Sequence, residues 1–216
     1  TQAKTLFPYT TLFRSLAVQA HRHPNLRLVG IACHIGSQIA DIAPYRESIV
    51  HLRRLVGTLR DRGVTLAHLD LGGGLGVAYR DGEPELDVEA WGAAMRVETD
   101  ELGVQLAIEP GRWLVADAGL LLTRVIGRKR GDAAAFVIVD AAMNDLLRPA
   151  LYGAHHAIVP VREPAPGSNT TVVDVVGPVC ESGDFLGLAR VLPPVEAGDL
   201  MMVLDAGAYG MTMAST

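Results

Sequence analysis

A short apolar segment, a glycine-bearing loop and an amphipathic helical stretch follow one another repeatedly in the first half of this chain. No other feature limits the fold as much. Residues 26–34 form an apolar, β-branched run that ends at Gly36-Ser37. Residues 44–62 then carry Ile49, Leu52, Leu55, Val56 and Leu59 on one helical face, and Gly63 closes them. The cycle returns with a strand at residues 66–71 and the loop Gly72-Gly73-Gly74. Asp87 is suited to cap a helix with Val88, Trp91, Met95 and Leu102 on its buried side. A third strand at residues 104–108 leads directly into Glu109-Pro110-Gly111-Arg112. Such alternation with short links predicts a parallel α/β sheet or barrel.

After about Val115 the pattern changes. Residues 120–126, 136–139, 156–161, 170–176 and 200–204 are strand-like and rich in β-branched side chains. The only helix expected there is a short one near residues 144–152. The fold class expected is therefore α/β plus β, with residues 16–117 forming the α/β part and residues 118–216 a mostly β domain. Residues 1–15 hold neither the helical nor the strand period and are expected to be an unmatched leader, foreign to the fold.

With 216 residues, 49% of them hydrophobic, the chain has material for a real core. The net charge of −5 supplies no general attraction to nucleic acid or to anionic membranes. The most apolar run, residues 119–122, lies between Asp117 and Arg124 and is too short to span a bilayer. Cys33 and Cys180 stand far apart and make no disulfide framework, so a cytoplasmic location is expected.

Four loops carry groups with chemical potential. His34 and Ser37 follow the first strand: a histidine there can stack on a planar ligand while the serine donates to a phosphate, or it can be a buried, satisfied histidine beside a turn. Gly72, Gly73 and Gly74 allow backbone N–H groups to approach an anion, or simply make a tight turn. Glu109 can pair with a protonated ring nitrogen, with Gly111 and Arg112 facing a phosphate or carboxylate, or it can form a salt bridge with Arg112. Cys180-Glu181-Ser182-Gly183-Asp184 is a poor zinc site, lacking a convergent histidine pair, and reads better as a polar substrate-contact loop. Arg148, Tyr152 and Tyr209, each taken alone, read as surface groups.

Together these segments resemble one family. His34-Ile35-Gly36-Ser37-Gln38, Leu69-Asp70-Leu71-Gly72-Gly73-Gly74, Glu109-Pro110-Gly111-Arg112, Cys180-Glu181-Ser182-Gly183-Asp184 and Asp205-Ala206-Gly207-Ala208-Tyr209 occur in the order found in pyridoxal 5'-phosphate (PLP) dependent decarboxylases of the alanine-racemase-like fold. The segment from Asp140 through Arg148 to Tyr152 resembles the diaminopimelate branch of the ornithine, diaminopimelate and arginine group. The resemblance implies the last strands of a TIM-like (β/α) barrel followed by a β domain. It implies PLP as cofactor, with His34 stacked on the ring and Glu109 at the pyridine nitrogen. Ser37, Gly72, Gly73, Gly74, Gly111, Arg112 and Tyr209 then gather on the cofactor. Arg112, Arg148, Tyr152 and Glu181 hold an amino-acid substrate. Cys180 and His34 are the catalytic candidates, and Cys180 and Glu181 enter the active site of a second copy, so that a homodimer is the working unit. No metal is implied. The reaction implied is decarboxylation of meso-2,6-diaminopimelate to L-lysine. The other substrates in the group are ornithine, arginine and carboxynorspermidine, and a non-catalytic regulatory relative is a further alternative.

The chain departs from that pattern in one chemical respect. Its lysines are Lys4 and Lys129, and neither matches the family's Schiff-base lysine motif. A C-terminal fragment of the enzyme, inactive alone, is the expectation. Three parallel strands cannot close a barrel, so open sheet edges and association are expected as well.

Overall fold

The computed structural model describes residues 10–131 and 134–215. The chain divides into two compact units: one runs to Val77 and resumes over Pro84–Trp113, the other comprises Ala78–Glu83 and Leu114 onward.

In the first unit, three parallel strands, β1 (Gly30–Ala32), β2 (His68–Asp70) and β3 (Gln105–Ala107), lie side by side in sequence order. Helix α2 (Ala43–Arg60) starts with a proline in its first turn and buries Ile49, Leu52, Val56 and Leu59, the face expected from their spacing. Helix α3 (Val88–Thr99) begins where Asp87 accepts a 2.9 Å hydrogen bond from the Ala90 amide. Trp91, Ala94 and Met95 face the core, whereas Leu102 lies in a separate 3-10 turn that Gly103 closes with φ of 57°. These faces pack on Leu69, Leu71 and Leu75 of the central strand and its loop.

The leader expected over residues 1–15 falls only partly within the described residues. Residues 1–9 lie outside the described residues, but Thr10 to Ser15 belong to helix α1 (Thr10–Arg22). Ala17 and Val18 of α1 pack against the core, while Leu12, Phe13 and Leu16 are exposed. Residues 10–15 supply fewer than two turns of α1, too short a stretch for the helical period to stand out.

The second unit is a six-stranded sheet in the order β6-β9-β4-β5-β7-β8. Its strands are β4 (Leu121–Arg130), β5 (Ala135–Val139), β6 (Ile158–Pro160), β7 (Thr171–Val176), β8 (Phe185–Leu192) and β9 (Leu200–Val203). All pairs are antiparallel except β5 with β7. Val125, Val137, Val139, Val173, Val175, Leu186, Met201 and Val203 build one core from alternating positions. Two short helices were blurred in the sequence: α4 (Gly111–Val115), and α5 (Arg148–Tyr152), which is shorter than the expected stretch. No helix among the described residues is long and apolar enough to cross a membrane.

Candidate functional site

Parallel strands bring their C-terminal ends to one edge, and the register here is informative. Ala32, Asp70 and Ala107 stand in one row across β1, β2 and β3. His34, Gly72 and Glu109 each lie two residues beyond that row. The ladder continues into the loops: the Cys33 amide donates to Asp70 O at 3.0 Å, the Leu71 amide to Ala107 O at 3.0 Å, and the Glu109 amide to Gly72 O at 2.8 Å. The Gly73 amide points at His34 Nδ1 at 3.4 Å. Three loops that are distant in sequence therefore meet at one end of one sheet.

The glycines are required there by contact. Gly72 has φ of +73°, and a Cβ on it would lie 2.2 Å from Cys33 O. A Cβ on Gly73 would lie 2.2 Å from Glu109 O. Asp70 Oδ1 accepts from the Gly72 amide at 2.8 Å and fixes the start of the turn. On the inner side, Tyr45 donates its hydroxyl to Gly73 O at 3.2 Å and sets its ring edge-on to Trp91.

Burial pushes the Tyr45 phenol up to about 12, against an ordinary value of 10.0. A folded-state value above the unfolded one means that the contribution is complete below pH 10 and is lost as pH rises through about 12. Tyr45→Phe is expected to cost about 1 kcal/mol at neutral pH. It should also remove the fall in melting temperature expected of the wild type between pH 10 and 12, which thermal melts across that range will check.

His34 is exposed, contrary to the reading of a buried histidine beside a turn. Glu109 is exposed too. Ser37 and Gly111 are exposed, with nothing within 4 Å of a Cβ built on Gly111. This donor set is a flat ring, a solvent-facing carboxylate, a hydroxyl and loop amides on one sheet edge. It fits a planar cationic ring with an anionic tail such as PLP. Among the described residues no group of His, Cys, Asp and Glu is arranged to hold a metal ion.

The remaining candidates lie in the second unit. Arg148 opens α5 and is only 6% exposed, which corrects the surface position expected for it. Its Nη1 lies 2.8 Å from Nε2 of His156, and its guanidinium carbon sits 4.5 Å from the centroid of the Tyr79 ring. Tyr152 and Tyr209 are exposed, as expected, and Tyr209 has a left-handed φ of 58°. Asp205 begins the Tyr209 turn, and burial, then the charge of Asp117, holds its carboxyl above the usual carboxylate range.

Cys180 and Glu181 are exposed at the tip of a turn that Asp184 builds. Asp184 is buried, accepting from the Val179 amide on Oδ2 and from the Met143 amide on Oδ1, both at 2.6 Å. It ties the turn to the segment leading into Arg148. Asp184→Asn keeps the shape but turns one acceptor into a donor facing an N–H, and is expected to cost about 2 kcal/mol. A lower urea midpoint with faster amide exchange at Val179 and Met143 is the expected reading. His156, Tyr79, Tyr45 and the structural role of Asp184 were not legible from motifs. Asp184 was visible only as the last residue of the polar run Cys180-Glu181-Ser182-Gly183-Asp184.

Two family models match the chain: "Pyridoxal-dependent decarboxylase, pyridoxal binding domain" over residues 8–116 and "Pyridoxal-dependent decarboxylase, C-terminal sheet domain" over residues 99–207. The diaminopimelate decarboxylase of Zymomonas mobilis is 47% identical over 194 residues, covering 89% of this chain and 45% of that protein. The diaminopimelate decarboxylase of Neisseria meningitidis serogroup A is 48% identical over 203 residues, covering 92% and 49%. Among solved structures, AQ1208 from Aquifex aeolicus superposes with a TM-score of 0.90 at 40% identity, covering 95% of this chain and 51% of that one. Diaminopimelate decarboxylase from Helicobacter pylori complexed with L-lysine gives 0.88 at 36% identity, covering 95% and 50%. The chain thus spans about half the length of the relatives it matches.

Proposed function

The chain belongs to the pyridoxal-dependent decarboxylase family, and from that premise we propose that it serves in a diaminopimelate decarboxylase, releasing CO2 from meso-2,6-diaminopimelate to leave L-lysine. The observation that carries this reading is that His34, Gly72 and Glu109 each stand two residues past the registered row of Ala32, Asp70 and Ala107 at one end of the sheet. The identity of 47–48% to diaminopimelate decarboxylases supports the choice of substrate. The three parallel strands are then the last strands of a TIM-like barrel, and a homodimer in the cytoplasm is the working form.

When bound, PLP would supply an electron-accepting ring for decarboxylation. Glu109 would favour the charged form of the ring nitrogen, since a nearby carboxylate favours a cation. His34 would stack on the ring. Ser37, Gly72, Gly73, Gly74, Gly111 and Arg112 would hold the phosphate, and the family resemblance assigns Tyr209 of the second unit to the same group. Arg112, Arg148, Tyr152 and Glu181 hold the substrate, with Arg148 taking the distal carboxylate in a bidentate fork and Glu181 the distal ammonium. Cys180 and Glu181 serve the second copy's site. Neither Lys4 nor Lys129 matches the family's Schiff-base lysine motif.

Substrate choice tests this function. The full-length holoenzyme should release CO2 from meso-diaminopimelate and discriminate strongly against ornithine and arginine, because a site built for a second carboxylate is left with unpaired groups by an analogue lacking it. Equal or faster release from ornithine or arginine would overturn the assignment.

A further inference from the structure

A buried guanidinium requires acceptors for its donors, and a histidine can provide one only in the right protonation state. His156 is fully buried beside Arg148. Its Nε2 lies 2.8 Å from Arg148 Nη1, and its Nδ1 lies 2.8 Å from Leu204 O. A guanidinium only donates and a carbonyl only accepts. One pattern satisfies both contacts: Nδ1 carries the proton and donates to Leu204 O, while Nε2 accepts from Arg148. Either alternative, the other tautomer or the imidazolium, would set an N–H against the Arg148 N–H.

Burial favours the same neutral state and holds the His156 ring down to about 4, with the charges of Arg148, His155 and Arg190 acting in the same direction and the Leu204 carbonyl opposing. Tyr79 completes the support. Its ring meets His156 edge-on, with centroids 5.4 Å apart, and lies against the Arg148 guanidinium. The guanidinium is therefore held at one nitrogen by His156 and on one face by Tyr79.

We infer that His156, as the neutral Nδ1–H tautomer, is a positioning residue that sets the plane of the Arg148 guanidinium for the distal carboxylate of a diamino diacid substrate. The inference rests on the substrate role proposed above for Arg148. A fork that grips a carboxylate needs its two N–H groups aligned in advance, and a fixed plane lowers the ordering cost on binding. His156 acts far along the substrate from the bond that breaks, so its effect belongs in KM and not in kcat.

Kinetics of the full-length holoenzyme decide the matter. His156→Leu, which removes the acceptor but keeps most of the volume, should raise KM for meso-diaminopimelate about tenfold with kcat within about twofold. His156→Gln, whose Oε1 can accept from Arg148, should recover most of that loss. A purely structural role would instead lower stability and kcat together and give no selective rescue by glutamine. Arg148→Met separates the two layers: if it leaves KM unchanged, the substrate role of Arg148 falls and the inference with it. If it raises KM while His156→Leu does not, only the positioning role falls. Should the leucine variant fail to fold, 15N NMR of the wild-type ring provides the decision. The Nδ1–H tautomer throughout pH 5–8 is required, and the Nε2–H tautomer or an imidazolium in that range overturns the inference.

Discussion

Replacing Glu109 by glutamine in the full-length holoenzyme is expected to lower kcat for CO2 release by about 100-fold or more, with KM changed far less. Glutamine has the same shape and reach and lacks only the charge. Glu109 is exposed just beyond the end of β3, and its amide is fixed to Gly72 O at 2.8 Å. A carboxylate so placed can act on a cation bound at the sheet edge. Steady-state kinetics check the expectation, with binding of PLP measured in parallel to separate loss of cofactor from loss of rate. A glutamine variant with wild-type kcat would remove Glu109 from the chemistry.

Gly73→Ala is expected to destabilise the first unit by about 3 kcal/mol, read as a lower urea midpoint. The effect is steric. Gly73 has no left-handed φ, so alanine brings no backbone strain, but its methyl would come within 2.2 Å of Glu109 O. The obstructing atom is main chain in an adjoining loop, and neither side can turn away as a flexible side chain would. The His34 contact with the Gly73 amide should be lost together with the hydroxyl bond from Tyr45. Gly57→Ala in the last turn of α2 is the control. Nothing lies within 4 Å of its Cβ, and the change should stabilise by up to about 1 kcal/mol. Equal midpoints for the two variants would mean that the loops are not in contact at Gly73.

Much of this arrangement can be read from residue patterns, because the elements that position the site are strongly periodic. The α2 face and the Asp87 cap were evident, and the glycine loop with Glu109 marked the strand ends. Other elements failed for definable reasons. Strand β8 escaped notice because it contains Gly187 and a left-handed Ala189, which interrupt alternation, and its pairing with β7 shifts register near Val175. Helix α4 has one turn and a half, below the length at which a period can be recognised. The cluster at Arg148 depends on contacts from Tyr79, His156 and Leu204, separated widely along the chain, and no local spacing encodes it. Asp184 was visible as part of a polar loop, but its burial, which makes it the anchor of that loop, follows only from packing against Met143 and Val179.

The most direct measurement is a crystal structure of the full-length protein with PLP bound. Density for the ring against His34, with its nitrogen at the Glu109 carboxylate and its phosphate at the glycine loop, is the result expected. A cofactor seated beyond the reach of both His34 and Glu109 would contradict the assignment of this sheet edge as its cradle.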